Sequence, residues 1–238
     1  MKWFKRILIA VLIILIAVAA IIIGSGYSLY AKSIQEISLA DKISQIQQHQ
    51  HYTKLEDLPE YYAKAVVAVE DRRFYEHGPI DFIAIGRAIV SNIKQGELAE
   101  GGSTITQQVA KNLYFMTEDS VVDRKIAEIF MAFDLEKNYS KNDILELYIN
   151  TIFYGYNCYN IYDASQEYYD KEPKDLTLYE ATLLAGVPNA PSVYSPKTNI
   201  TLAHKRQEKV LSSMVKEEYL SQEEADKVIL EQQDHLDD

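Results

Sequence analysis

The chain of 238 residues has a single cysteine, Cys158, and a formal net charge of −11. One cysteine cannot form an internal disulfide, so stability must come from a buried core, which a chain of this length can build. The excess of acidic over basic side chains, 35 against 24, makes nucleic acid a poor ligand for the protein as a whole. Any anionic ligand must therefore be met by basic residues that are gathered locally.

Alternating β patterns are almost absent, and no internal repeat is visible. Apolar residues instead recur at three- and four-residue steps, as in Phe82, Ile85, Ile89 and Ile93, which is typical of a helix with one apolar face. We therefore predict a mainly α fold. The predicted helices cover residues 63–75, 123–137, 141–152, 178–186 and 202–215, with others after Phe82, after Thr104 and after a Ser221 cap.

A charge-free apolar run covers residues 7–23 and follows a short basic start. As a helix it is about 26 Å long, close to the thickness of bilayer hydrocarbon. The basic start favours a cytoplasmic N-terminus, which predicts residues 1–6 in the cytoplasm and a single-pass anchor at 7–26. The rest of the chain then lies outside the cell membrane. The alternative is a cleaved signal peptide, whose apolar region is usually shorter, about 7–15 residues.

Residues 101–112 read Gly-Gly-Ser-Thr-Ile-Thr-Gln-Gln-Val-Ala-Lys-Asn. Thr104 and Gln107 have capping-box spacing, which predicts a helix start at about Thr104. Glycines let backbone N–H groups approach a ligand, a helix N-terminus favours negative charge, and Lys111 lies about two turns further on. The loop suits an anion such as phosphate, although it lacks the GxxxxGK[ST] spacing of a nucleotide-binding loop. A polar helix cap without a ligand fits these residues equally well.

Three other stretches flank this loop in a fixed order. Residues 69–78 read Val-Glu-Asp-Arg-Arg-Phe-Tyr-Glu-His-Gly, and residues 124–150 run from Arg-Lys-Ile-Ala-Glu to Ile-Leu-Glu-Leu-Tyr-Ile-Asn. Residues 181–196 read Ala-Thr-Leu-Leu-Ala-Gly-Val-Pro-Asn-Ala-Pro-Ser-Val-Tyr-Ser-Pro. The ordered set resembles the peptidoglycan glycosyltransferases over about residues 55–225, through the patterns EDxxFxxHxG, GGSTxTQQxxKN, RKxxE, ILExYLN and AxLLAxxPxxPxxYxP.

The resemblance implies a lysozyme-like helical catalytic domain with a smaller membrane-contacting lobe. We place the glycosyltransferase domain at residues 58–225, with 79–120 largely in the smaller lobe. A partly helical stalk at 27–57 would precede the domain, and an acidic tail at 226–238 would follow it. The apolar face of the helix after Phe82 either packs against the main domain, which is our first expectation, or dips into the outer leaflet of the membrane.

The activity implied by the resemblance is polymerisation of lipid II into β-1,4 glycan, with inversion at the anomeric carbon and release of undecaprenyl pyrophosphate. The reaction needs a proton acceptor for a sugar hydroxyl and positive charge for the departing pyrophosphate. The family's catalytic base carries over to Glu70, and its second essential acid carries over to Glu128. Taken alone, Glu70 is more simply a surface partner of Arg72 or Arg73, and Glu128 a surface partner of the arginine four residues before it.

The resemblance also implies contacts with substrate. The candidate substrate-binding residues are Asp71, Phe74, His77, Ser103, Thr104, Gln108, Lys111, Arg124 and Lys125. The three bases among them would hold the leaving phosphates. As an isolated histidine, His77 is more often a capping or packing group than a proton shuttle, and the tyrosines of 154–169 suit packing better than sugar stacking. No histidine–carboxylate cluster has metal-ligand spacing, so we assign no metal site and require no cofactor, although family analogy suggests Mg²⁺ or Mn²⁺ between pyrophosphate and Glu128.

The sequence departs from the family patterns in four places. Pro79 stands where the family usually has glycine, and Ile149 replaces the leucine of ILExYLN. Asn160 precedes Ile161 where a glycine is usual, and the stretch between Asn112 and Arg124 lacks an arginine that many relatives carry. No catalytic group is lost, but the missing arginine predicts a weaker hold on phosphate.

The chain ends soon after the last motif, which predicts a monofunctional enzyme without a transpeptidase domain. Its expected partners are lipid II, the growing lipid-linked glycan, the membrane and penicillin-binding transpeptidases, but no nucleic acid. Two other functions stay open. A lytic transglycosylase or lysozyme-like enzyme would not need the phosphate-binding bases, and a catalytically silent scaffold for cell-wall assembly would not need both glutamates.

Overall fold

The computed structural model describes residues 2–95 and 101–234, and these residues form helices without a strand. The mainly α class is therefore confirmed. The helices are α1 (Lys2–Glu36), α2 (Leu39–Gln47), α3 (Glu60–Glu70), α4 (Phe82–Gln95), α5 (Ile105–Ala110), α6 (Val121–Asn138), α7 (Lys141–Ile149), α8 (Ile161–Tyr169), α9 (Leu178–Gly186), α10 (Pro191–Tyr194), α11 (Pro196–Lys216) and α12 (Gln222–Asp234).

Local sequence fixes several helix starts. The capping box predicted for α5 is present, since the Thr104 hydroxyl accepts from the Gln107 N–H at 3.1 Å and the Gln107 side chain accepts from the Thr104 N–H at 3.0 Å. Ser140 and Thr177 cap α7 and α9 in the same way. Each box pairs two backbone N–H groups that the first helical turn would leave without partners. A π-helical turn, Lys111–Phe115, continues α5.

Two of the predicted helices extend further along the chain than the helices in the structure do. α3 stops at Glu70 rather than at residue 75, because Asp71 leaves the helical conformation (φ −156°, ψ 72°). Its carboxylate turns inward and accepts from the backbone N–H of Ile105 at 3.0 Å. α7 stops at Ile149, three residues before the predicted end. The early end of α3 leaves its last side chain facing the loop that precedes α5.

The C-terminal half also departs from the predicted helix bounds. α8 was not predicted, since its sequence is mostly polar and tyrosine-rich. α11 begins at Pro196 instead of residue 202, with a break at Asn199 (φ −158°, ψ 94°). α12 runs on to Asp234, so most of the predicted acidic tail is helical, and Val228 and Gln232 on that helix are buried.

α1 is long and apolar enough to cross a membrane, and no other helix in residues 2–95 and 101–234 passes that test. Beyond its apolar part it packs along α6: the Tyr27 ring lies 5.2 Å from the Phe130 ring, and Tyr30 donates to Asp134. Ile43 of α2 is part of the main core. Part of the segment 27–57, the predicted stalk, therefore packs on the main domain, since Ile43 is buried and Ile34 and Ile46 are partly buried against the core.

α4 has few buried side chains. Phe82 and Ile93 are each 76% exposed, Ile89 is exposed as well, and only Ile85 is half-buried. Our first expectation, that this apolar face packs against the main domain, is wrong for the three exposed residues. The core lies elsewhere, between α3, α5, α6, α7, α9 and α11.

Candidate active site

A cavity of about 800 Å³ opens where the end of α3, the loop before α5, α5 itself, α6 and α11 meet. The structure brings most of the predicted site residues to its wall. Those lining the cavity are Glu70, Ser103, Gln108, Lys111, Arg124, Lys125 and Glu128. They come from three separate stretches of the chain, and both predicted catalytic glutamates are among them.

Glu70 is the last residue of α3, and its side chain is 11% exposed. One carboxylate oxygen accepts from Gln108 Nε2 at 3.0 Å, and the other lies 3.3 Å from Nη2 of Arg206. The surface pair with Arg72 or Arg73 does not form, because these arginines face Glu217 at 3.8 Å and Asp81 at 3.2 Å. Glu70 is thus a fixed carboxylate in the cavity wall.

Glu128 is almost fully buried on α6, with 2% of its side chain exposed. Its Oε2 lies 2.7 Å from Lys125 Nζ, and its Oε1 lies 3.5 Å from Arg124 Nε. Burial of this kind contradicts the interpretation of Glu128 as an ordinary surface partner. Lys125 also donates to the Ser103 hydroxyl at 2.7 Å, so this lysine connects α6 to the glycine-containing loop before α5.

Arg124 makes one hydrogen bond and one longer ion pair. Its Nη1 donates to the backbone carbonyl of Glu118 at 3.3 Å, but Nε is buried and makes no hydrogen bond with any described residue. This Nε instead faces Glu128 Oε1 at 3.5 Å as an ion pair, which holds the guanidinium at the cavity wall, where it offers positive charge to an anionic ligand. Lys111, on the neighbouring wall, forms no ion pair with the described residues.

Four predicted substrate contacts lie behind the cavity wall. Asp71 and Thr104 reach only a recess of about 20 Å³, Phe74 is fully buried, and His77 Nε2 bonds to Asp71 at 2.7 Å. Burial raises the pKa of Asp71, and the bond from His77 partly offsets this. The structure therefore gives no support for direct substrate contact by these four residues. They hold the end of α3 to the loop before α5.

The same turn assembles a cluster that sequence spacing does not reveal. Ligand atoms of Asp71, His77 and Asp81 lie within 4.8 Å of one another. Burial would raise the pKa of Asp81, but hydrogen bonds from the N–H groups of Ala84 and Ile83, together with Arg73, outweigh burial and lower it. Since these partners already occupy the oxygens, the cluster is a hydrogen-bond network and we assign no metal to it.

Residues 37–215 match the family model described as Transglycosylase. The chain belongs to this family. It is 42% identical over 186 residues to Penicillin-binding protein 1A of Neisseria lactamica, a match that covers 78% of this chain and 23% of the relative. Penicillin-binding protein 1F of Bacillus subtilis (strain 168) is 44% identical over 171 residues, which cover 72% of this chain and 24% of the relative. The chain thus spans about a quarter of the length of these curated relatives.

Among solved structures, this transglycosylase is similar to the 2.6 Å crystal structure of Penicillin-Binding Protein 1A from Haemophilus influenzae. The two are 26% identical, with a TM-score of 0.43, and the match covers 77% of this chain and 18% of that one.

Sequence analysis missed one wall of the cavity in this transglycosylase. α11 contributes three basic residues there, and none was predicted as a site residue: Arg206, Lys209 and Lys216. They bring the lining, as far as the structure describes it, to eight basic side chains and three glutamates. The expectation that bases gather locally against an acidic chain is confirmed. The signal that could have found this wall is their spacing of three and seven residues, which places them on one face of a helix.

Proposed function

We propose that this transglycosylase is a peptidoglycan glycosyltransferase that polymerises lipid II into β-1,4 glycan outside the cell membrane. One observation carries the proposal. A hydrogen-bonded carboxylate, Glu70, and a group of three bases, Lys111, Arg124 and Lys125, line a single cavity. A proton acceptor and a phosphate-binding group in one cavity are what glycosyl transfer from a pyrophosphate donor requires.

In the proposed reaction Glu70 accepts the proton of the 4-hydroxyl on the acceptor N-acetylglucosamine. The freed oxygen forms a bond to the anomeric carbon of the donor while the bond from that carbon to the pyrophosphate breaks. Attack from the face opposite the leaving group converts an α-linked donor into a β-linked product. Gln108 and Arg206 hold the Glu70 carboxylate in one orientation. The carboxylate can therefore accept the proton without first losing rotational freedom.

Undecaprenyl pyrophosphate then departs with the electron pair of the broken bond. Lys111, Arg124 and Lys125 would neutralise its charge, as positive side chains do for transferred phosphate groups. Glu128 sits among these bases and would face the positive charge that develops at the anomeric carbon. Without substrate, the Glu128 carboxylate holds Lys125 and Arg124 in position.

The divalent cation suggested by family analogy finds a poor donor set at Glu128. Both carboxylate oxygens of this residue already face bases of its own helix, at 2.7 and 3.5 Å. A cation there would have to displace them, so we assign neutralisation of the pyrophosphate to side chains.

Membrane attachment completes the proposal. α1 would cross the membrane with its N-terminus in the cytoplasm, and the exposed apolar side chains of α4 would enter the outer leaflet, where the lipid-linked substrate lies. Lipid II and the growing lipid-linked glycan are the proposed partners. Penicillin-binding transpeptidases are proposed as a further partner class that would act on the product.

The test supplies lipid II in detergent to the purified full-length chain and separates the products on a gel. Wild type should form glycan polymer, and Glu70→Gln should lower the rate by at least about 10²-fold, the scale of general base catalysis. Glu76→Gln is the matched control, because Glu76 is exposed in the next turn and does not line the cavity. It should polymerise like wild type.

Two results would reject the proposal. Polymer formed by Glu70→Gln at the wild-type rate would remove the proton acceptor from the mechanism. Shortening of preformed glycan by wild type, without polymer from lipid II, would favour a glycan-cleaving enzyme instead.

A further inference from the structure

α11 presents a row of polar side chains to the cavity: Arg206, Lys209, Ser213 and Lys216. These four residues, the α11 row, follow one another at steps of three, four and three, so they share one face of the helix. At 1.5 Å per residue the row is about 15 Å long. It begins at Arg206, which touches Glu70, and leads away from the proposed proton acceptor.

The two lysines of the row lack acidic partners. Neither Lys209 nor Lys216 forms an ion pair with any residue in the described part of the chain, whereas nearby Arg72 faces Glu217 at 3.8 Å. Solvated lysines are common on proteins. Here, however, eight of the chain's 24 basic residues line one cavity of a molecule with a net charge of −11. The concentration of positive charge favours an anionic ligand along the row.

The row lies on a helix that packs mainly on elements other than α1 and α4, the two that would meet the membrane. α1 touches α6 at Gly26, where an added Cβ would collide with Ile126 and lie 2.9 Å from the Asp123 carbonyl oxygen. Arg124 and Lys125 therefore sit next to the point where α1 leaves its apolar segment. α11 instead packs mainly on α3, α9, α10 and α12. A pyrophosphate attached to a lipid belongs on the α6 side, so the row suits an anion that is not tied to lipid.

We propose that Lys209 and Lys216, the two lysines of the α11 row, bind free carboxylates of the short peptide carried by the acceptor saccharide. This inference rests on the proposed function. The acceptor hydroxyl is at Glu70 in the proposed reaction, and the peptide branches from the adjoining sugar ring. An extended peptide spans about 3.3–3.6 Å per residue, so a few residues can follow the row from Lys209 to Lys216.

The experiment compares two lipid-linked disaccharide-peptides that differ only in whether the peptide carboxylates are free or amidated. With wild type we expect a KM about 5-fold lower for the free carboxylates, the size expected of two partly exposed ion pairs. In the double variant Lys209→Gln, Lys216→Gln the ratio of the two KM values should fall to about one. Lys205→Gln is the control, since Lys205 is exposed on α11 outside the cavity and should keep the wild-type ratio.

Several outcomes would overturn the inference. Wild type could use both substrates with equal KM, or the double variant could keep the preference. An equal rise of KM for both substrates in the double variant would mean that the row binds a group they share, such as the acceptor pyrophosphate. If wild type makes no polymer from either substrate, the proposed function is rejected, and this inference is rejected because it rests on that function. Thermal unfolding of each variant checks that the fold is intact.

Discussion

At the scale of single residues, the carboxylate of Glu70 owes its position to partners that are distant in sequence. Arg206 reaches it from α11 and is itself fixed, since its Nε donates to the Gly186 carbonyl at 3.3 Å. The guanidinium also lies over the Tyr194 ring, 6.0 Å from its centroid. A side chain held at three points can keep a catalytic carboxylate in one orientation.

We predict that Arg206→Gln lowers kcat of polymerisation about 10- to 100-fold with little change in KM. Glutamine is polar but too short to contact Gly186 and Glu70 at the same time. The Glu70 carboxylate would therefore lose its fixed orientation toward the acceptor hydroxyl. Steady-state kinetics with lipid II measure both constants. A rise in KM at constant kcat would show instead that Arg206 binds ground-state substrate and does not position the base.

The five charged residues found from motifs, Glu70, Lys111, Arg124, Lys125 and Glu128, do meet at one cavity. Their motifs are local, so the sequence displays them directly. The α11 wall could not be found in this way, because it lies far along the chain and meets α3 only through tertiary packing. Asp71, Phe74, His77 and Thr104 share motifs with cavity residues, yet the end of α3 turns them behind the wall.

At the scale of elements, the contact between α1 and α6 connects the proposed membrane anchor to the helix that carries the proposed phosphate-binding bases. Gly26 allows this close approach, since any side chain there would meet Ile126 and the Asp123 carbonyl. Tyr27 and Tyr30 then both pack on Phe130, one turn beyond Ile126 on α6, and Tyr30 also donates to Asp134 in the turn after that. The sequence predicts both helices, α1 from its charge-free apolar run, but it does not reveal that they touch.

We predict that Gly26→Leu pushes α1 away from α6 and lowers kcat/KM for lipid II about 10-fold, because Arg124 and Lys125 lie beside the contact. Gly24→Leu is the matched control: a Cβ there meets nothing within 4 Å, so this variant should behave like wild type. Both leucines suit an apolar helix. Equal activity of the two variants would contradict a positioning role for the contact.

The elements also show where periodicity misleads. The stripe of Phe82, Ile85, Ile89 and Ile93 correctly predicts a helix, but periodicity cannot say what covers the stripe. In the structure most of it stays exposed. An apolar face has the same pattern whether it meets a protein core or a lipid bilayer, so only the fold decides between them.

At the scale of the whole molecule, charge and apolar surface are segregated. The chain is acidic overall, yet the cavity collects eight bases. Apolar side chains are exposed on α1, on α4 and at the start of α6, where Val121 and Val122 are uncovered. If these three elements share one membrane surface, the α6 side of the cavity opens near the lipid headgroups, while α12, which packs on α11 and α9, faces water.

Because the native thiol of Cys158 is buried, this arrangement can be tested by labelling a cysteine introduced elsewhere. Burial raises the pKa of Cys158 to about 11, so a thiol-reactive fluorophore should modify an introduced cysteine much faster. Ile89→Cys on α4 and Leu230→Cys on α12 are matched in exposure, at 54% and 62%. In vesicles containing brominated lipids, we expect strong quenching of the label at position 89 and little at position 230. Similar quenching at both sites would mean that α4 does not enter the bilayer.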